Sequence, residues 1–555
     1  MTSQRMVFKQ VSLEPFDAIA DTVFVEDGWI KAVGYWSQIQ NLVDSQTAVI
    51  DGAGCSLLPG IDDSHLHGYM VGRRLSGVDV SPGTCPNLEA INFAIRHYSL
   101  SHSGWIRGFG WVSGTFIGTG PDSTPHQNDL SVSEVNQPVI LTDFSGHQAW
   151  CNRSALELAG ISRNTEDPVG GVIVRDASGM PTGLLLEAAV RLVTAAMPDP
   201  TEAEIRAALL TTRDLLLADG ITSFTDPGLG PGATSLDDGS ASLAVLDTYR
   251  KLAKEGELNL RVNAMLLFGG LGGTTVEQIA EGLEQFGPPE HTDAAELVTV
   301  NQLKVFADGI PRSRTAWMSE PYDNHGHGHL TVAGDTDEER VATLESIVGY
   351  ASSKGWQLGI HATGDESVSA IVGAVEKVPN SADRRHYVIH GDIIKAGDLA
   401  RFKRAGLGLN VQPGIRWMVG RNVDRILGRE RASRRIQLRQ IRAAGVSLCL
   451  SSDAPVTAVD WRHIYATATK RDFKGEPGFD DGQSLSPLEA MNGLTLAAAF
   501  QTHSETWRGS VTPGKVADLV LMNSKVDWTG SAESISRARP RAVFLGGKLV
   551  YGAIA

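Results

Sequence analysis

The residues with the most chemistry to offer are two histidines one position apart. His65 and His67 close the stretch Leu58-Pro59-Gly60-Ile61-Asp62-Asp63-Ser64-His65-Leu66-His67, which starts apolar and leaves a Pro-Gly turn. On a strand the side-chain period is two, so both imidazoles point to one side. Two imidazoles side by side at a strand end suit one metal ion such as zinc. A lone His-X-His equally describes a hydrogen-bonded surface pair, so the weight falls on where other ligand types lie. Lys304 sits in Leu303-Lys304-Val305-Phe306-Ala307-Asp308-Gly309, and His361 in Gly359-Ile360-His361-Ala362-Thr363-Gly364-Asp365. His390 sits in Val388-Ile389-His390-Gly391-Asp392, and Asp453 in Ser451-Ser452-Asp453-Ala454-Pro455. Four histidines and one aspartate, each at the end of a strand-like run, point to a metal centre.

The elements that must position these residues follow from the apolar rhythm. Strand-like runs occur at Ile221–Thr225, Leu260–Phe268, Gln302–Ala307, Trp356–His361, Tyr387–His390, Gly408–Val411 and Val446–Ser451. Helical patterns separate most of them, clearest at Glu202 to Ala218, Thr336 to Lys354, Glu366 to Lys377, Lys395 to Ala405 and Ala432 to Ala444. With the run that ends at His65 this makes eight strand–helix units. Buried alternating units predict an α/β fold, a (β/α)8 TIM-like barrel, whose chemistry lies at the C-terminal strand ends. An open doubly wound sheet is the alternative, but no Gly-rich phosphate turn follows a first strand.

Residues 1–57 and 505–555 read as short strands, with hairpins about Asp27-Gly28 and Gly546-Gly547. They are expected to pair into one small β domain. The barrel then occupies 58–504, with an insert over 70–200 after its first strand, since the regular pattern pauses there for about 150 residues, the length of a separate domain. The insert shows a strand near Trp105 to Trp111, a strand running into a helix across Val139 to Leu158, and a hairpin over Gly171 to Leu186.

The 555 residues are 42% hydrophobic and 20% charged, with a net charge of -15. An acidic chain argues against nucleic acid or an anionic membrane as the main partner. The arginine run Arg429, Arg431, Arg434, Arg435 and Arg439 recurs at helical spacing and reads as a solvated face. Cys55, Cys85, Cys151 and Cys449 form no Cys-X-X-Cys pair and no disulfide framework, and neither a signal core nor an apolar run of membrane length occurs. A cytoplasmic protein is expected.

The Pro-Gly…Asp-Ser-His-Leu-His opening, the strand-end histidines and Ser452-Asp453-Ala454-Pro455 resemble the amidohydrolase superfamily. Gly146-His147-Gln148-Ala149-Trp150-Cys151-Asn152, Gly170 to Asp176, Lys304 to Gly309, His361 to Asp365, Gln412-Pro413 and Pro513 to Leu519 are similar to its amidohydrolase-3 (YtcJ-like) branch. That branch includes N-substituted formamide deformylases. The resemblance implies one or two divalent ions, with His65 and His67 on the more buried ion and His361 and His390 on the more exposed one. It implies that Asp453 both ligates and shuttles protons, and that Lys304 carries a carbamate bridging the ions. Charge balance supports the carbamate: two divalent ions bring four positive charges, and an ammonium there would add repulsion. The competing reading pairs a protonated Lys304 with Asp308, which leaves a single ion on His65, His67, His361 and Asp453.

The implied reaction is hydrolysis of a carbon–nitrogen bond by metal-activated hydroxide, with an acyclic N-substituted amide or formamide as the small-molecule substrate. A cyclic amide, a heterocycle amine or an ester on the same centre is the alternative. A non-catalytic regulatory protein with this fold is the other. Family habit implies a homodimer. For substrate contacts, Gln412, Arg416 and Trp417 follow the seventh strand and should face the barrel mouth, while Trp111 and Trp150 offer either aromatic walls or packing. His147 either reaches over the mouth or caps the next helix. His325-Gly326-His327-Gly328-His329 is a lid or a solvated loop. Three sites depart from the family texture: Asp143-Phe144-Ser145, Thr225-Asp226 and Gly391-Asp392, all expected near the pocket.

Overall fold

A computed structural model describes residues 4–554 apart from 103, 113–117, 121–122, 131–135, 145–147, 169–170, 188, 233–241, 271, 323–325, 472–481 and 531. The chain divides into two compact units, one of Met1–Gly68, Arg213–Ala233 and Ser242–Ala555, the other of Tyr69–Thr212 and Thr234–Ala241.

The larger unit holds an eight-stranded sheet whose strands follow one another in chain order, every pairing parallel. The strands are Ile61–Asp63, Ile221–Leu229, Arg261–Leu266, Val298–Phe306, Gln357–Ala362, Tyr387–His390, Gly408–Val411 and Ser447–Leu450. Nearly every residue in them is buried, as expected of strands covered on both faces. Past the ends of the first and eighth strands the circle is closed by backbone bonds, Asp453 N–H to His65 O and His67 N–H to Ala454 O, both 2.8 Å. The fold is a (β/α)8 barrel. Earlier on the strands that carry the candidate ligands, polar side chains fill the barrel. Tyr387 Oη donates to Gln302 Oε1 (2.9 Å), Gln302 Nε2 to Gln357 Oε1 (2.8 Å), and Gln357 Nε2 to the carbonyl of Gln501 (2.9 Å).

The surrounding helices fall close to their sequence patterns. Glu202–Ala218 matches throughout, and Asp337–Ser353 starts at a capping box of Thr336 and Glu339. The exception follows the seventh strand. A helix over Pro413–Ser433, bent at Gly428 (φ 77°), lies where no element was expected, and the helix expected over Ala432 to Ala444 is reduced to Leu438–Ala443. The arginine run is a solvated face only in part: Arg429 and Arg439 are exposed, while two of its members turn inward. Arg435 is buried and ion-paired with Asp392 and Asp424, both at 2.9 Å, and Arg431 is buried with its guanidinium on the carbonyls of Leu427, Glu320 and Pro321. Helical spacing puts these arginines on a face, but only the packing shows that buried carboxylates and carbonyls meet it.

Both chain ends contribute to the small β part. One sheet orders Trp29–Gly34, Thr22–Glu26, Arg5–Lys9 and Ala48–Asp51; the other orders Lys548–Gly552, Pro540–Leu545, Leu519–Met522 and Leu57–Pro59. Their inner faces share one core, in which Phe8 stands edge-on to Phe544 at 5.1 Å. The strand Leu57–Pro59 belongs to this core and the first barrel strand begins two residues later, so the Pro-Gly turn is where the chain passes into the barrel.

The smaller unit is built on a six-stranded mixed sheet, ordered Gly171–Arg175, Pro181–Glu187, Gln148–Cys151, Val139–Asp143, Ile106–Trp111 and Val78–Asp79. Alternate residues go to separate cores. Val139, Leu141 and Trp150 face one, while Ile140, Ala149 and Cys151 face the other. Among the described residues no helix is long and apolar enough to cross a membrane.

Candidate metal centre

His65 and His67 follow the first barrel strand and Asp453 follows the eighth. The two Nε2 atoms lie 3.3 and 3.4 Å from the same Asp453 Oδ1. Ligand atoms of all three residues fall within 4.8 Å of one another. The backbone makes this possible. Leu66 N–H donates to Thr225 O at 2.9 Å, and Gly68 N–H to the Asp226 carboxylate at 3.2 Å, which Tyr249 Oη also holds at 2.8 Å. Thr225-Asp226, a departure from the family texture, thus anchors the His-X-His turn. Asp453 itself has φ 57°, a left-handed conformation that an aspartate holds only when its surroundings fix it.

His390 continues the cluster, its ring centroid 5.9 Å from that of His65 and 4.6 Å from that of His361. Nε2 of His361 lies 3.1 Å from the carbonyl of Gly309. A carbonyl only accepts, so this nitrogen carries the proton and Nδ1 keeps a free lone pair. His390 is the reverse, with Nδ1 placed 2.7 Å from Gln412 Oε1. The loop after the fifth strand is held by Asp308, which accepts from the N–H groups of Thr363 (3.0 Å), Gly364 (2.9 Å) and Trp317 (3.1 Å) and from Ser367 Oγ (2.7 Å). Gly364 is required there, since a Cβ would lie 2.1 Å from Trp317 O.

This arrangement overturns the Lys304–Asp308 pairing: the Asp308 carboxylate is consumed by its four donors. Lys304 is buried on the fourth strand, its Nζ 4.9 Å from the Phe306 ring centroid, and among the described residues no carboxylate reaches ion-pair distance of it. Burial pulls its ammonium down to about 7, opposed by the charge of Asp453. Burial, and then the charge on Lys304, hold His65 at about 3 and His361 at about 4; His390 is driven well below its usual range by burial and by His361. For Asp453, burial favours the acid, but the hydrogen bonds of His65 and His67 outweigh it and keep the carboxylate ionised.

The donor set fits a divalent ion. Burial keeps His65, His361 and His390 neutral, the state in which an imidazole offers a lone pair, and the one carboxylate among them is ionised. His65, His67 and Asp453 form the compact group, with His361, His390 and Lys304 facing the same centre.

The substrate contacts fare differently. Gln412 is buried, and its amide is spent on His390, Asn410 and Ser451 rather than on a pocket. Arg416 is buried and donates to the carbonyl of Arg471 at 3.0 Å. Trp417 stands edge-on to His463 at 4.2 Å. Trp111 lies in a core of the smaller unit, its Nε1 on Leu141 O at 2.8 Å and its ring against Trp150. Its place is packing and not a wall. His147 and His325 lie outside the described residues. His327 and His329 are exposed and, among the described residues, not part of the metal group. Asp392 is the partner of Arg435, so the Gly391-Asp392 departure is structural.

A parallel barrel with histidines and a carboxylate gathered at its C-terminal strand ends is the frame of a hydrolase. The chain matches the Amidohydrolase family over residues 48–551 and belongs to it. It is 28% identical over 512 residues to the "Putative amidohydrolase YtcJ" of Bacillus subtilis (strain 168), covering 91% of this chain and 90% of that one. It is 28% identical over 556 residues to Protein LONG AFTER FAR-RED 3 of Arabidopsis thaliana (98% and 90% covered). Against the N-substituted formamide deformylase of Arthrobacter pascens the identity is 25% over 515 residues (91% and 90% covered). Among solved structures, an uncharacterized metal-dependent hydrolase from Pyrococcus horikoshii OT3 shares the fold, with TM-score 0.73, 20% identity and 93% and 97% of the two chains covered.

Proposed function

We propose that this member of the family is a metal-dependent hydrolase of non-peptide carbon–nitrogen bonds, acting on an acyclic N-substituted amide such as a formamide. The convergence of His65, His67 and Asp453 within 4.8 Å carries the reading. Zinc suits a site of imidazoles and one carboxylate. Buried as Lys304 is, its amine is available to take up carbon dioxide, and a carbamate there would bring negative charge to a site lined by neutral rings. The likeness to a formamide deformylase supports the substrate class. The four unpaired cysteines suit a reducing cytoplasm.

When bound, a divalent ion lowers the pKa of water to about 7 and polarises a carbonyl. The protein's own part is to hold and move protons. Asp453, ionised and tied by its backbone to His65, is placed to accept a proton from water. It can then deliver that proton to the departing nitrogen, which leaves poorly as an anion. His361 and His390 stay neutral, with the lone pair on Nδ1 and on Nε2 respectively, and Thr363, Gly364 and Asp308 keep His361 from swinging away.

The test is metal analysis of the purified chain together with a panel of amides, lactams, amino-heterocycles and esters, followed by formate, primary amine and ammonia release. Formate with primary amine is the expected pair. Ammonia alone would move the reading to a deaminase, and a chain that binds no divalent metal would end it.

A further inference from the structure

Gln412 was expected to meet substrate, yet every polar contact it makes is internal. Its Oε1 lies 2.7 Å from His390 Nδ1. Its Nε2 lies 3.0 Å from Asn410 Oδ1, 3.2 Å from Asn410 O and 2.9 Å from Ser451 Oγ. Asn410 Nδ2 in turn donates to the carbonyl of Ser64, to Ser64 Oγ and to Gln501 Oε1, each at 3.0 Å. Ser451 Oγ donates to Asn410 Oδ1 at 2.6 Å. Ser64, Asn410, Gln412, Ser451 and Gln501 are buried, and His390 is half-buried.

The directions in this chain are not free. A backbone carbonyl can only accept, so Ser64 O compels the NH2 end of Asn410 to face it. The other end of Asn410 is then an acceptor, which compels the NH2 end of Gln412. The remaining end of Gln412 is a carbonyl oxygen, and the ring nitrogen opposite it must carry a proton. His390 therefore holds its hydrogen on Nδ1 and its lone pair on Nε2. His390 also sits at φ 73° and is followed by Gly391 at φ 56°, a backbone that must be held from outside.

We propose that Gln412 is a positioning residue for His390, the last link of a one-way hydrogen-bond relay from the Ser64 carbonyl that fixes which imidazole nitrogen faces the metal centre. The relay starts one residue before His65, so the strand that delivers the His65–His67 pair also sets the ring of the histidine across the barrel. An outer partner that fixes tautomer and ring orientation typically contributes 10- to 100-fold to metal affinity. The inference rests on the reading of these histidines as metal ligands, and the test separates the two.

Full-length chain is stripped of metal and titrated with Co(II), reading the visible spectrum and the affinity against a competing chelator. Gln412→Leu is expected to bind Co(II) about 10- to 100-fold more weakly than the parent, with an altered spectrum. Gln412→Glu, which keeps an acceptor for Nδ1–H, should recover part of the affinity. A Gln412→Leu chain with the parent's melting profile, affinity and spectrum would overturn the relay. A parent that takes up no Co(II) would remove the metal reading and the relay with it. If Gln412→Leu does not fold, 15N NMR of the metal-free, 15N-histidine-labelled parent decides, with His390 assigned by difference from His390→Asn. A proton on Nδ1 supports the relay and one on Nε2 refutes it.

Discussion

The backbone N–H of Asp453 donates to the carbonyl of His65 at 2.8 Å, while the Asp453 carboxylate lies 3.3 Å from the His65 ring. One residue pair therefore closes the barrel and begins the candidate metal centre. A ligand set at the seam between first and last strands exists only when the whole barrel has formed, so metal binding and barrel closure should be linked.

That linkage is measurable by thermal melting. Added zinc should raise the Tm of the metal-free parent, because a ligand bound only by the folded state stabilises by about 2.7 kcal/mol at a hundredfold excess over Kd. His65→Ala should remove most of this response. A zinc-independent Tm in the parent would contradict it.

Asp453→Asn keeps the side chain's shape but removes its charge and its ability to accept a proton. Turnover should fall by about 10²- to 10⁴-fold, the usual contribution of a general acid–base group. Metal content should be determined on the same sample. A kcat within tenfold of the parent would show that the proton moves by another route.

Carboxylation of Lys304 can be read directly. Protein equilibrated with 13C-bicarbonate and zinc should show a carbamate carbonyl resonance, and Lys304→Arg should lack it. The resonance should weaken on acidification, as the carbamate is lost. Its absence from active parent would leave the single-ion arrangement.

His386 is buried beneath the fifth and sixth strands. Its Nδ1 accepts from Leu358 N–H and its Nε2 donates to Ser352 Oγ, both at 2.9 Å. Burial holds it at about 4 against an ordinary 6.5. The unfolded chain therefore takes up this proton first as pH falls. The neutral ring's contribution is complete above pH 6.5 and is lost progressively toward pH 4, amounting to about 3 kcal/mol. Urea denaturation across that range should show a flatter profile for His386→Leu, lower in stability at neutral pH. Equal slopes would contradict this assignment.

Arg435→Met should cost about 3–5 kcal/mol, since it leaves the buried Asp392 charge without its partner. The double change Arg435→Met with Asp392→Leu should recover much of that loss. A neutral Arg435→Met would show that the Asp392 charge does not depend on this partner.

Much of this was written locally. Short apolar runs alternating with helical patterns placed the eight barrel strands, and turn chemistry placed the hairpins at Asp27-Gly28 and Gly546-Gly547, because these signals depend only on neighbours in the chain. The candidate ligands were visible for the same reason: a histidine or aspartate at the end of an apolar run sits at the chemical face of a barrel whatever the loops do. What escaped were roles set by groups distant in sequence. Gln412 and Arg416 follow a strand just as His361 ends one, and nothing local says that their side chains turn to His390 and Ser451 and to Arg471.

The alternation of strands with helices, and the side chains that stand at strand ends, can be read from the order of residues alone. Which of those side chains meet, which arginines find buried carboxylates, and which ring nitrogen of His361 and of His390 is free are set by the packing of distant segments. Covalent order and periodicity act over a few residues. Hydrogen-bond partners and electrostatic environment depend on what burial brings alongside from elsewhere in the chain.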